Sequence, residues 1–261
     1  MKNNFWILWY EISLGVKEKL RYKISMLSDF IIFLATYIGI YFLNIDVNFA
    51  TYYNLDISSS RMLVFVGYIF WQMSSCALGY SSSGIRSDAM KGMLELKLQS
   101  KFPIFLMNFI ELIINLVFNL VPLIGIIIFT ILTSSVSLLE FKIFLISLIV
   151  CIPSIIGMYG MGLILGGITL IEKSIGQFVF ILQALLLIGS NAMSPTRSFL
   201  VSVFPFSMGI DITRNIYLNI PVGIERIIIY IVINIIWIFI GALFFNYLLK
   251  RQRKNGSFDY Y

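Results

Sequence analysis

Long unbroken apolar runs fill most of this chain, and polar positions gather between them. Runs of this kind do not resemble the ten-residue alternations of barrel strands, and open strands leave edge groups unpaired in lipid. A helix needs roughly 20 apolar residues to cross the hydrocarbon core. The pattern predicts six helical spans, at about Ile24 to Leu43, Met62 to Tyr80, Pro103 to Leu132, Phe141 to Ile171, Ile175 to Met193, and Ile227 to Leu249. The third is long enough to tilt, or to kink at Pro122. The fourth carries Pro153 with Gly157, Gly160, Gly162, Gly166 and Gly167. These small residues read as close helix packing, with a moving hinge as the other reading.

Ahead of the first span, Phe5, Trp9, Ile12, Val16 and Leu20 recur at helical spacing, with Asn4, Glu11, Gly15 and Glu18 on the opposite side. Residues 1–23 are therefore expected to form an amphipathic interfacial helix, with Trp6, Trp9 and Tyr10 as interfacial aromatics. Such a helix either anchors the chain to lipid or also braces a cytoplasmic partner. The Phe5–Tyr10 stretch is too short for a signal peptide and no small-residue cleavage site follows it. The expected fold is all-α: one polytopic membrane domain over 1–261, with six transmembrane helices, the N-terminal interfacial helix, and re-entrant outer helices before the last span.

Composition agrees. Of 261 residues, 59% are hydrophobic and 12% charged, against about 45–50% and about 25% in soluble domains; mean hydropathy is +0.92. A soluble enzyme, a disordered tail and a disulfide-stapled secreted domain are excluded. Histidine is absent, which removes histidine bases, His-containing triads and histidine-ligated metals. Cys76 and Cys151 both sit in apolar runs and read as small core residues.

The basic residues set an orientation. Lys2, Lys17, Lys19, Arg21, Lys23, Arg86, Lys91, Lys97, Lys101, Lys173, Lys250, Arg251, Arg253 and Lys254 fall on one side. Arg61, Lys142, Arg197, Arg214 and Arg226 complete the 19 on the other. The richer side is cytoplasmic, so the expected setting is a bacterial plasma membrane with both termini in the cytoplasm. Topology explains the basic balance without nucleic acid, and basic residues beside the membrane favour anionic headgroups.

Three segments carry candidate chemistry. Residues 86–102 mix both charge signs with Met90, Met93, Leu94, Leu96 and Leu98; they form either an ordinary loop or a short helix parallel to the membrane. In the third span, Asn108, Glu111, Asn115 and Asn119 lie with Pro122 within about an 80° stripe. A charge near mid-membrane costs about 2.5–3.5 kcal/mol, so Glu111 should face protein or water. The stripe is either a transport path or an interhelical hydrogen-bond seam. Gln177, Gln183 and Asn191 read as interhelical contacts. Residues 194–226 are apolar yet interrupted by Pro195, Pro205 and Pro221, which suggests short helices dipping into the outer leaflet. Asp211 and Arg214 stand at a helical pairing distance there.

Gly92-Met93-Leu94-Glu95, followed by Ser100 and Pro103, resembles a motif of type-2 ATP-binding-cassette exporter permeases. That family reads roughly Gly-Thr-Leu-Glu and then a Ser/Thr-Pro pair; here Met93 replaces the small polar residue, and Lys101 and Phe102 separate Ser100 from Pro103. Gly189, Pro195, Pro205 and Arg214 resemble the family's second landmark, with one proline fewer. The resemblance covers nearly the whole chain. It implies a permease half driven by a separate ATPase, with Asp88, Gly92, Leu94, Glu95 and Lys97 on or beside a coupling helix. It also implies an outer gate around Pro195, Pro205, Asp211 and Arg214.

The chain has no Gly-rich phosphate loop ending in Lys-Ser/Thr, so ATP and Mg are expected on the partner and no cofactor on this chain. The expected assembly is a homodimer, or a heterodimer with a homologous permease, carrying two ATPase subunits among membrane lipids. The expected cargo is hydrophobic or amphipathic: a drug, an antimicrobial peptide or a lipid-like molecule. A lipid-linked glycan exporter, a membrane-embedded lipid-modifying enzyme and an anchoring protein are the alternatives.

Overall fold

The computed structural model describes residues 2–43, 45–55, 57–100, 102–133, 141–172, 175–195 and 199–255, and every regular element among them is a helix. The order is α1 (Lys2–Arg21), α2 (Lys23–Phe42), α3 (Ile45–Tyr53), α4 (Ile57–Met90), α5 (Leu94–Gln99) and α6 (Ile104–Thr133). It continues with α7 (Phe141–Glu172), α8 (Gly176–Gly189), α9 (Phe199–Ser202), α10 (Ser207–Tyr217) and α11 (Ile224–Asn255). Lys101, Lys173 and Arg197 of the charge count lie outside the described residues, as do the side chains of Asn4, Phe5, Trp6 and Glu11.

Four helices are long and apolar enough to cross a membrane: α4, α6, α7 and α11. These fit a multi-pass membrane protein. The six continuous spans expected from hydropathy differ from this at two places. The first expected span coincides with α2, 20 residues long; its stretch Leu27–Phe42 is long enough only together with α3, which follows at a 58° bend. At the fifth, α8 has 14 residues, about 21 Å at 1.5 Å per residue, against a core of roughly 30 Å. Helix α8 stops because Ser190 takes an extended backbone and Asn191 turns away to meet Arg214 and Asp211. Hydropathy counts the apolar residues of that run but not the polar contacts that bend it.

Helix α4 is the core element, and it runs past Tyr80 to Met90. The serines that seemed to end the run sit comfortably in the helix. Ser82 and Ser83 return their hydroxyls to the carbonyls of Gly79 and Tyr80, each at 3.0 Å. Most of α4 is buried, including Phe65, Tyr68, Ile69 and Phe70. Helix α7 packs on α4 along one side and on α11 along the other. Close approach requires glycine at both seams. A Cβ on Gly162 would lie 2.6 Å from the Leu78 carbonyl oxygen, and one on Gly241 would overlap the carbonyl of Gly160. These glycines serve packing, as the small-residue pattern indicated.

Pro153 inside α7 cannot donate a helix hydrogen bond. Next to it, Tyr230 of α11 inserts its hydroxyl into the helix ladder, donating to Val150 O at 2.6 Å and accepting from Ser154 N–H at 3.2 Å. The Ser154 hydroxyl also bonds Tyr230. Helix α11 otherwise leaves a broad aliphatic face exposed, from Ile224 through Ile228, Ile235 and Phe239.

Helix α1 rests against α6 on its small side: a Cβ on Gly15 would lie 2.8 Å from Ile114 Cδ1. Trp9, Ile12 and Leu20 of the apolar stripe point away from the bundle.

Candidate functional site

The two ends of α4 carry two distinct polar constructions. At its C-terminal end the chain turns over Lys91–Met93 into α5. Gly92 holds this turn with φ of +68°, a left-handed conformation that favours glycine. The turn is tied back by Met93 N–H to Asp88 O at 2.8 Å. Residues 86–102 thus contain a short helix, Leu94–Gln99, between α4 and α6.

Helix α5 has an inner and an outer side. On the inner side Leu94 is buried, and the Lys97 ammonium sits 2.9 Å from Asp88 of α4 and 2.7 Å from Glu111 of α6. Tyr80 donates to the second Glu111 oxygen at 3.3 Å. The Lys97 side chain is only 12% exposed. Burial by itself lowers its pKa, but the two carboxylates outweigh it and hold the ammonium above the ordinary value of 10.5. On the outer side Met93, Glu95 and Leu96 are exposed, and Met90 stands exposed just before the turn.

The C-terminal ends of α1 and α11 both meet this end of the bundle. Lys91 pairs with Glu18 of α1 at 2.7 Å, and Arg253 of α11 donates to Leu98 O at 3.0 Å. Helix α5 is therefore fastened to α4, α6 and α11, with α1 tied to the turn before it. The Lys91–Glu18 hydrogen bond raises the Lys91 pKa, but the pair is half exposed and worth about 0–1 kcal/mol.

The four polar residues of the α6 stripe have separate fates. Glu111 joins the Lys97 cluster. Asn119 donates to Cys76 Sγ at 2.9 Å. Asn108 is fully buried beside Gly84 and has no hydrogen-bond partner among the described residues. Asn115 borders a cavity between α4, α6, α7 and α8. The stripe thus makes contacts with α4 and α5 along part of its length and meets open space at Asn115.

The opposite end of α4 holds the second construction. Arg214 of α10 is fully buried. Its guanidinium donates to Leu63 O at 3.0 Å, Asn191 O at 2.7 Å, Asn191 Oδ1 at 3.1 Å and Ala192 O at 3.0 Å, and it lies 4.5 Å over the Phe49 ring. Asp211 accepts from the Asn191 amide, so Asp211 and Arg214 meet at Asn191. Pro205 is buried, and its carbonyl accepts from Asn234 at 3.1 Å and Ser154 at 3.4 Å, which ties the approach to α10 onto α11 and α7. Pro195 is half-buried after the Asn191–Ser194 turn.

Several participants were not singled out in the sequence. Tyr80 looked like one more span aromatic. Phe49 lies in a segment that reads as a loop, and Gly67 admits Arg214: a Cβ there would sit 2.7 Å from Nη2. Gln183 does bridge helices, donating to Ser75 O at 2.8 Å, while its own carbonyl accepts from Trp71 at 2.9 Å. Gln177, expected to do the same, is exposed. No protein-family model matches the chain, and no curated protein matches it significantly.

Proposed function

We propose that the chain is the membrane permease subunit of an ATP-driven exporter of the type-2 class, moving a hydrophobic or amphipathic molecule out of the cell. The supporting observation is the two-sided character of α5. One side is locked into the bundle by Lys97, which touches α4 and α6 together. The other presents Met90, Met93, Glu95 and Leu96 with no neighbour among the described residues to cover them. A short helix with a rigid inner side and a free apolar–acidic outer side is suited to sit in a partner's groove and pass its movement to two long helices.

In this reading the α5 end is cytoplasmic, because it gathers Lys91, Lys97, Arg253 and the basic ends of α1 and α11. The full topology has six crossings, with α2 plus α3 as a broken first span and α8 with the turn after it as a short fifth. Helices α9 and α10 close the outer end. ATP and Mg reside on two partner ATPase subunits, and two permeases, identical or homologous, form the path between them. The test is copurification of the full chain with its ATPase from membranes. Glu95→Arg should abolish capture of the ATPase and export, while the permease remains folded. Unchanged capture and export in that variant overturn the reading.

A further inference from the structure

Between α4, α6, α7 and α8 lies a cavity of about 410 Å³, within the range of ligand sites. Arg86 is the only charged residue, and no carboxylate stands, among the described residues that line it. Arg86 forms no ion pair among the described residues. Its guanidinium stands over the first turn of α8, where a Cβ on Gly176 would lie 3.9 Å from Arg86 Nη1. That turn begins after Ile175, whose apolar side chain makes no capping bond, and a helix N-terminus carries a partial positive charge. Ser87 and Asn115 line the same space, and so does Ser75, whose side-chain oxygen is buried without a partner.

The Arg86 fork, the N-terminal turn of α8 and the Ser87 hydroxyl, with no acid among the described lining residues, form a site for an oxyanion at one end of the cavity. Apolar walls continue the site: Met90, Ile175 and Val179 line it, and Phe178, Ile181 and Leu185 are exposed along the outer side of α8. A free phosphate would use the first set of groups but not the second. We infer that this cavity binds the phosphate of an anionic phospholipid, with its acyl chains lying along α8. Basic pockets between membrane helices on the positively charged side take such headgroups. The site does not depend on the transport reading, since it needs neither an ATPase nor cargo.

Native mass spectrometry of the purified full chain, offered equal phosphatidylglycerol and phosphatidylcholine, tests this directly. Wild-type protein should retain phosphatidylglycerol preferentially. Arg86→Gln should reduce that preference about fivefold, the worth of one basic residue at an anionic surface. Arg86→Lys should keep part of it, and Arg226→Gln, which alters an exposed cation outside the cavity, should leave it intact. Equal retention of the two lipids by wild type, or undiminished preference in Arg86→Gln, overturns the proposal. So does binding of inorganic phosphate with no preference for phosphatidylglycerol.

Discussion

Lys97 is the cation that two buried carboxylates share, so its loss should be felt at both. Lys97→Met leaves Asp88 and Glu111 facing each other without a counter-charge, and breaking a buried pair in this way costs about 3–5 kcal/mol. The variant should melt well below wild type in detergent, and Glu111→Gln in the same chain should recover part of the loss. The pH dependence follows from the direction of the shift. The Lys97 pKa is raised above 10.5, so the stability it contributes is fully present below that value and is lost only as pH climbs through the higher folded value. Between about pH 6 and about pH 9 this group should leave the melting temperature flat. Arg214 is the corresponding residue at the other end. It satisfies three backbone carbonyls that have no other cation to hold them. Gly67→Ala puts a methyl group 2.7 Å from its Nη2 and closer still to the Ala192 carbonyl. Overpacking of this kind typically costs about 1–3 kcal/mol, and a thermal shift assay should register it.

At the scale of elements, α7 depends on a neighbour for its continuity. The Tyr230 hydroxyl serves a carbonyl and an N–H one turn apart around Pro153, and Tyr230→Phe removes both contacts while keeping the ring. Each buried group left unsatisfied costs about 1–3 kcal/mol, so the variant should be less stable. Amide exchange should quicken around residues 150–154 and stay unchanged in α4. The α4–α5 turn depends on backbone conformation. Gly92→Ala forces an L-residue to +68°, a strain of roughly 1–2 kcal/mol, and should loosen α5 without unfolding the bundle. If the proposed exporter function holds, a fall in ATPase capture with little change in melting temperature is the expected result. The short α5 was legible as a mixed-charge apolar segment, but its locking residue was not. Lys97 and Glu111 lie 14 positions apart in the chain, across a turn and a helix start. No helical spacing rule reaches that far, and Glu111 read in isolation looked like an uncompensated charge.

Taken whole, the molecule has one end where the C-terminal ends of α1 and α11 converge on α5 and another where α10 folds back onto α4. Cysteines introduced at Leu96 and at Asn219, both exposed, in a chain whose Cys76 and Cys151 are replaced by alanine, should label from opposite sides of sealed vesicles. Labelling from the same side would break the assignment of the two ends. The sequence by itself determined the solvent of this protein: apolar runs of this length and a charged content of 12% leave only helices in a membrane, because hydrocarbon offers backbone groups no partner. It also determined the helical α1 and the glycine seams of α7, since both are periodic along one helix. The tertiary structure decided where helices stop and which polar residues meet. Helix α8 is short because Asn191 is drawn to Arg214, and Glu111 is paired because α5 swings Lys97 beneath it. Hydropathy and periodicity sum over neighbours in sequence, whereas a buried charge is neutralised by neighbours in space.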